Sequence, residues 1–180
     1  MTTFLLDAFL CLRSLGLLSA ACDEPRDDAT FVMTEYVARH ELSQVSREIE
    51  ALAARRSLRV EPVMVRSPAG RRWRKLRQEG VHKGEAEAIA WALEQPARDR
   101  PIFVSRDAHA LKAAREHALD AIDVMGFVVE AVVLGILPRQ TAEAALEPWE
   151  DKRHQLCRPR DFTTFEETFA RRWAARRESG

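Results

Sequence analysis

Val81–Ala114, VHKGEAEAIAWALEQPARDRPIFVSRDAHALKAA, reads as helix, turn, strand and second helix, with an acidic residue at the start of each helix. Gly84 opens the first helix, and Ala86, Ile89, Ala90 and Leu93 fall on one apolar face. Pro96 and Pro101 bracket a turn, Ile102–Val104 is a short apolar strand, and Ser105-Arg106-Asp107 leads into a helix over 108–118. A strand that ends in a carboxylate places negative charge at the C-terminal edge of a sheet. Open α/β folds bind their ligands at that edge. Glu85 lies four residues before Ile89 and so borders the apolar face, whereas Glu87 shares a side with Trp91 and Glu94. The spacing ranks Glu85 first as an inward carboxylate and Glu87 second; dipole complementation by both acids is the competing reading.

The N-terminus repeats the pattern. Thr2–Leu6 is a β-prone apolar run that stops at Asp7, and helical spacing follows from Ala8 to Leu18. Asp7 is either an N-cap or a metal ligand at the sheet edge. Phe31–Met33 is a further strand, followed by the helix-like TEYVARHEL, in which Glu41 lies four residues after Val37 and four before Val45. That places Glu41 in line with an apolar stripe, where a carboxylate needs a partner or a metal; a solvent-facing position at a helix break is the alternative. Leu58–Val65 alternates as a strand, and Pro62 suits it to an edge. Leu119–Val124 is a fifth short strand, and 126–137 is an apolar helix. From Trp149 the composition turns polar, so the chain divides into a domain over 1–148 and a C-terminal helical appendage over 149–180.

Composition narrows the function. At 180 residues, 46% hydrophobic and 31% charged, the chain is globular. Net charge is zero, so contact with nucleic acid must come from local patches. The strongest patch is RSPAGRRWRKLRQ, where Arg71, Arg72, Arg74, Lys75 and Arg77 surround Trp73. Cations beside an aromatic suit a phosphate backbone and a stacked base; charges paired with acids on an exposed helix are the other reading. Cys11, Cys22 and Cys157 have no C-x-x-C spacing and leave one over, which argues against zinc or a disulfide framework and suits a reducing cytoplasm. The apolar run Phe4–Cys22 lacks a preceding basic residue and is broken by Asp7 and Arg13, so it is read neither as a signal peptide nor as a membrane span.

GEAEAIAWALE, the strand ending in VSRDAHALKAA, and the later DVMGFVVEAVVLGIL together resemble the PIN-domain family, in its branch related to the VapC ribonuclease toxins. Val37-Ala38-Arg39-His40-Glu41-Leu42 matches part of a further family pattern, and the likeness spans roughly Phe4 to Leu137. It implies a three-layer fold, a central parallel sheet of four to five strands flanked by helices. It also implies a carboxylate cluster of Asp7, Glu41, Glu85 or Glu87, and Asp107 holding Mg²⁺ or Mn²⁺ for phosphodiester hydrolysis. RNA is then the expected substrate, with an antitoxin or other protein partner and a homodimer as further expectations. Arg71, Arg72, Trp73, Arg74, Lys75, Arg77 and Arg106 are the expected nucleic-acid contacts.

The sequence departs from that pattern in two places. Asp7 is followed by Ala8 and Phe9, with no hydroxyl to orient a water, and Arg106 stands where many members carry an acid. A non-catalytic module binding nucleic acid or a protein is therefore the alternative to a metal-dependent ribonuclease. A phosphatase whose first strand ends in Asp would need a second Asp two residues on, where this chain has Phe9.

Overall fold

The computed structural model describes residues 1–22, 26–151 and 157–179. Five strands form one fully parallel sheet: β1 (Thr2–Leu6), β2 (Ala29–Thr34), β3 (Arg59–Glu61), β4 (Ile102–Val104) and β5 (Ala121–Ile122). Their spatial order is β3-β2-β1-β4-β5. β1 is central, and the chain builds outward on one side through β2 and β3, then on the other through β4 and β5. The reversal of strand order falls between β1 and β4, where a crevice opens beyond the strands' C-terminal ends.

The alternation of side chains along each strand divides the core in two. Phe4, Leu6, Phe31, Met33 and Val104 face one side. There α1 (Phe9–Ser14), α2 (Leu17–Cys22), α3 (Ser46–Ala54), α7 (Val124–Val133), α8 (Arg139–Glu150) and α9 (Phe165–Ser179) contribute buried or packed apolar residues. Leu5, Val32 and Phe103 face the other side, covered by α4 (Pro68–Gln78), α5 (Lys83–Glu94) and α6 (Ala108–Glu116). Phe4 stacks on Phe31 and meets Phe127 edge-on at the centre of the larger core.

Several boundaries differ from the expectation for physical reasons. The single helix expected over 8–18 is broken at Gly16, whose φ of +71° only glycine adopts at little cost. The strand expected over 58–65 keeps only Arg59–Glu61; it is an edge strand, and Pro62 has no N–H to extend the ladder. The division drawn at 148/149 falls inside α8. Trp149 is fully buried and shares one core with Phe4, while Phe162, Phe165 and Phe169 of the C-terminal segment join the same cluster. Arg172 anchors α9 by donating to both oxygens of Asp123 (2.6 and 2.9 Å) and to Asp161 (2.8 Å). The expectation that the cysteines stay unpaired is corrected: Cys11 and Cys157 form a disulfide, and Cys22 is buried. Residues 23–25 of the polar loop that the sequence gives over Cys22–Ala29, and residues 152–156 of the polar stretch after Trp149, lie outside the described residues.

Candidate active site

The cavity at the strand-order reversal has a volume of about 450 Å³. Asp7, Glu41, Glu85 and Asp107 line it together with His82 and Arg106. Four carboxylates from four separate segments therefore share one hollow beyond the C-terminal ends of β1 and β4.

Each is held by its local structure. Asp7 follows β1 directly, and its own N–H is tied to the carbonyl of Val104 at 2.9 Å. It does not cap α1, whose N-cap is Ala8 without a side-chain bond. Its Oδ2 instead accepts a hydrogen bond from the Ser105 hydroxyl at 2.6 Å. A hydroxyl therefore reaches Asp7 from the residue after β4, while residues 8 and 9 carry none. Ser105 is fully buried and its Oγ also accepts the N–H of Asp107 at 3.1 Å. Asp107 is the N-cap of α6: its Oδ1 accepts the N–H groups of His109 (2.8 Å) and Ala110 (2.9 Å).

Glu41 ends a π-helical turn, Val37–Glu41, a local widening often found at functional sites. Its Oε1 accepts the N–H of Gly84 at 3.1 Å, in the first turn of α5, where the helix dipole favours an anion. A Cβ at position 84 would stand 2.5 Å from that oxygen, so only glycine admits this approach. Glu85, in the same turn, is buried and faces the cavity, with His82 Nδ1 at 3.9 Å. Glu87 does not line the cavity. It is buried and its Oε2 accepts the N–H of Tyr36 at 2.9 Å, which pins the start of the π-helical turn.

Crowding marks the electrostatics. Burial pushes Asp7 up to about 7; the Ser105 hydrogen bond opposes this, and Glu85, Glu41 and Asp107 add to it. Glu85 is raised by burial first and by Asp107 next, and Glu87 is raised chiefly by burial. Such a set of oxygen donors suits a hard divalent cation, whose charge would offset the burial that raises Asp7 and the smaller repulsion from Glu85, Glu41 and Asp107. Among the described residues, no three acidic, histidine or cysteine side chains already converge on a common point at ligand distance. The acids fit a cation by donor type and shared cavity, and ligation requires their side chains to close inward.

The basic residues divide. On α4, Arg72 pairs with Glu94 (3.2 Å) and Lys75 with Glu79 (3.8 Å). Arg71 and Arg74 donate to the carbonyls of Arg66 and Val65. Trp73 is half-buried and donates its indole N–H to Lys83 O at 3.0 Å. Arg74, Arg77 and Lys83 are exposed around it. Arg106 is exposed on the wall of the acidic cavity itself. No local pattern in the sequence marks Ser105, Tyr36 or Lys83; the adjacency of Ser105 to Asp7 arises only when β1 and β4 pair.

A family model, DUF3368, a PIN domain, matches residues 28–158. The match begins after the strand that carries Asp7 and includes Glu41, Glu85 and Asp107. No curated protein matches. Among solved structures, the PilT N-terminus domain protein SSO1118 from the hyperthermophilic archaeon Sulfolobus solfataricus P2 is similar. It is 16% identical at a TM-score of 0.46, over 77% of this chain and 95% of that one.

Proposed function

Since this chain belongs to the PIN-domain family, we propose that it is a metal-dependent ribonuclease that hydrolyses phosphodiester bonds. The observation that carries this reading is the meeting of Asp7, Glu41, Glu85 and Asp107 in one cavity at the reversal of strand order. These four side chains would hold Mg²⁺ or Mn²⁺, with Glu87 supporting the turn behind Glu41. The bound ion would lower the pKa of a coordinated water and neutralise charge on the phosphodiester. Ser105 orients Asp7, Gly84 orients Glu41, and Arg106 and the α4 cations attract the backbone of the RNA. A toxin of a toxin–antitoxin pair is the biological setting we propose. Among the described residues no helix is long and apolar enough to cross a membrane.

Incubation of RNA with Mn²⁺ and wild-type, Asp7→Asn or Asp107→Asn protein tests the assignment. Cleavage by the wild type and its loss in both variants is the expected result; equal cleavage by all three overturns it. Arg106 favours a second reading, a catalytically weakened module that binds nucleic acid or a protein partner. It brings a permanent positive charge to the wall of the acidic cavity, where it would compete with a metal ion for the carboxylates. Calorimetric titration with Mn²⁺ separates the two, because binding that disappears in Asp107→Asn belongs to the first.

A further inference from the structure

Beside the acidic cavity, and outside the carboxylate set, stands a cluster of aromatic and cationic side chains. The rings of Tyr36 and His40 lie 4.6 Å apart and those of Tyr36 and Trp73 6.2 Å apart, with Lys83 Nζ 4.4 Å from the Tyr36 centroid. Trp73, Arg74, Arg77 and Lys83 line an open pocket of about 420 Å³, within the range of small-ligand sites, roughly 300–1,000 Å³.

Three features join this cluster to the site. His40 and Glu41 are consecutive on the π-helical turn, so the residue that continues the aromatic row precedes one that lines the cavity. Lys83 and Glu85 lie in one turn of α5. The indole N–H of Trp73 is bonded to the Lys83 carbonyl, and its side chain packs against the smaller core, so its orientation is set before any ligand arrives. An aromatic face held in place among three exposed cations has the chemistry of a nucleotide site, with the ring for the base and the cations for its phosphates.

We infer that the Trp73 pocket is a subsite for one unpaired nucleotide next to the phosphodiester held at the carboxylates, its base stacked on the indole. The inference rests on the nuclease reading for the role of the neighbouring cavity. Base pairing closes the stack to the protein, so this subsite selects single strands over duplexes. Tyr36 lies beside the indole and His40 beside Tyr36, while Arg74, Arg77 and Lys83 hold the flanking phosphates.

Binding of a fluorescein-labelled ten-nucleotide RNA, as a single strand and as a duplex, is measured in EDTA for wild type, Trp73→Leu and Trp73→Phe, with melting curves for each. The wild type is expected to prefer the single strand. Trp73→Leu should weaken the single strand by about tenfold and leave the duplex unchanged, while Trp73→Phe keeps most of the affinity. Quenching of tryptophan emission by the single strand should vanish in Trp73→Phe, which decides the matter if Trp73→Leu melts early. Quenching that persists in Trp73→Phe, or a folded Trp73→Leu that binds both forms like the wild type, overturns the subsite. Cleavage with Mn²⁺ is read separately. Trp73-dependent binding without cleavage supports the subsite and removes the nuclease, whereas cleavage alongside Trp73-independent binding removes the subsite alone.

Discussion

Ser105 donates its hydroxyl to Asp7 across the β1–β4 pair at 2.6 Å, and the same oxygen receives the Asp107 N–H. One buried hydroxyl thus fixes two of the four acids relative to each other. Ser105→Ala removes the bond that opposes the rise of Asp7 and leaves the part-buried Asp107 N–H without its acceptor. We expect a loss of about 1–3 kcal/mol in stability. The pH at which Mn²⁺ binds half-maximally should shift upward, read by calorimetry at a series of pH values. An unchanged midpoint would mean that Ser105 does not hold Asp7.

The raised Asp7 makes the metal-free protein sensitive to pH. Its folded-state value of about 7 lies above the ordinary 3.8. Between those values the folded protein keeps a proton that the unfolded chain has released. Stability therefore falls as pH rises through that window, by up to about 1.4 kcal/mol per unit, and flattens above 7. Melting temperatures in EDTA from pH 4 to 8 should decline less steeply for Asp7→Asn than for wild type. Metal affinity should move the opposite way and strengthen as pH rises through 7.

Gly84→Ala separates folding from function. Alanine favours a helix over glycine by about 1 kcal/mol. The new Cβ would stand 2.5 Å from Glu41 Oε1, which the flexible Glu41 side chain resolves by leaving the N-terminus of α5. Thermal stability should be held or raised while Mn²⁺-dependent cleavage drops about tenfold or more. Equal cleavage would place Glu41 outside the working set.

Arg172 ties α9 to Asp123, the N-cap of α7, and to Asp161. Arg172→Ala leaves Asp123 half-buried without its cation. A cost of about 1–3 kcal/mol is expected from urea unfolding. Fluorescence of Trp173, which packs against the larger core beside Arg172, should report the loosening first.

The sequence was most readable where the signal is local. Thr2–Leu6 and Ile102–Val104 form strands with the expected ends, because apolar runs bounded by Asp7, Pro101 and Ser105 leave little choice. Helical spacing ranks Glu85 above Glu87 as the inward acid, yet both are buried, Glu85 on the cavity and Glu87 against Tyr36. Features made by tertiary pairing were not readable. The bond between Ser105 and Asp7 spans 98 positions, and that between Glu41 and Gly84 spans 43. The aromatic row needs the π-helical turn to meet α4 and α5, and no residue spacing announces that meeting. The polar composition after Trp149 suggested an appendage, yet its few aromatics complete the main core, since burial depends on where a side chain lands and not on the average of its neighbours.

The Cys11–Cys157 bond closes a covalent ring that contains Glu41, Glu85 and Asp107, with Asp7 just outside it. A protease that cuts once between those cysteines produces two pieces that remain a single molecule until a thiol is added. Nicked protein should therefore run as one band on a denaturing gel without reductant and as two bands with it. Since a nick inside the ring releases neither piece, three of the acids stay tethered to the strand that carries the fourth. A cut between Asp7 and Cys11 is different, because it leaves Asp7 and the central strand with no covalent tie to the other three acids.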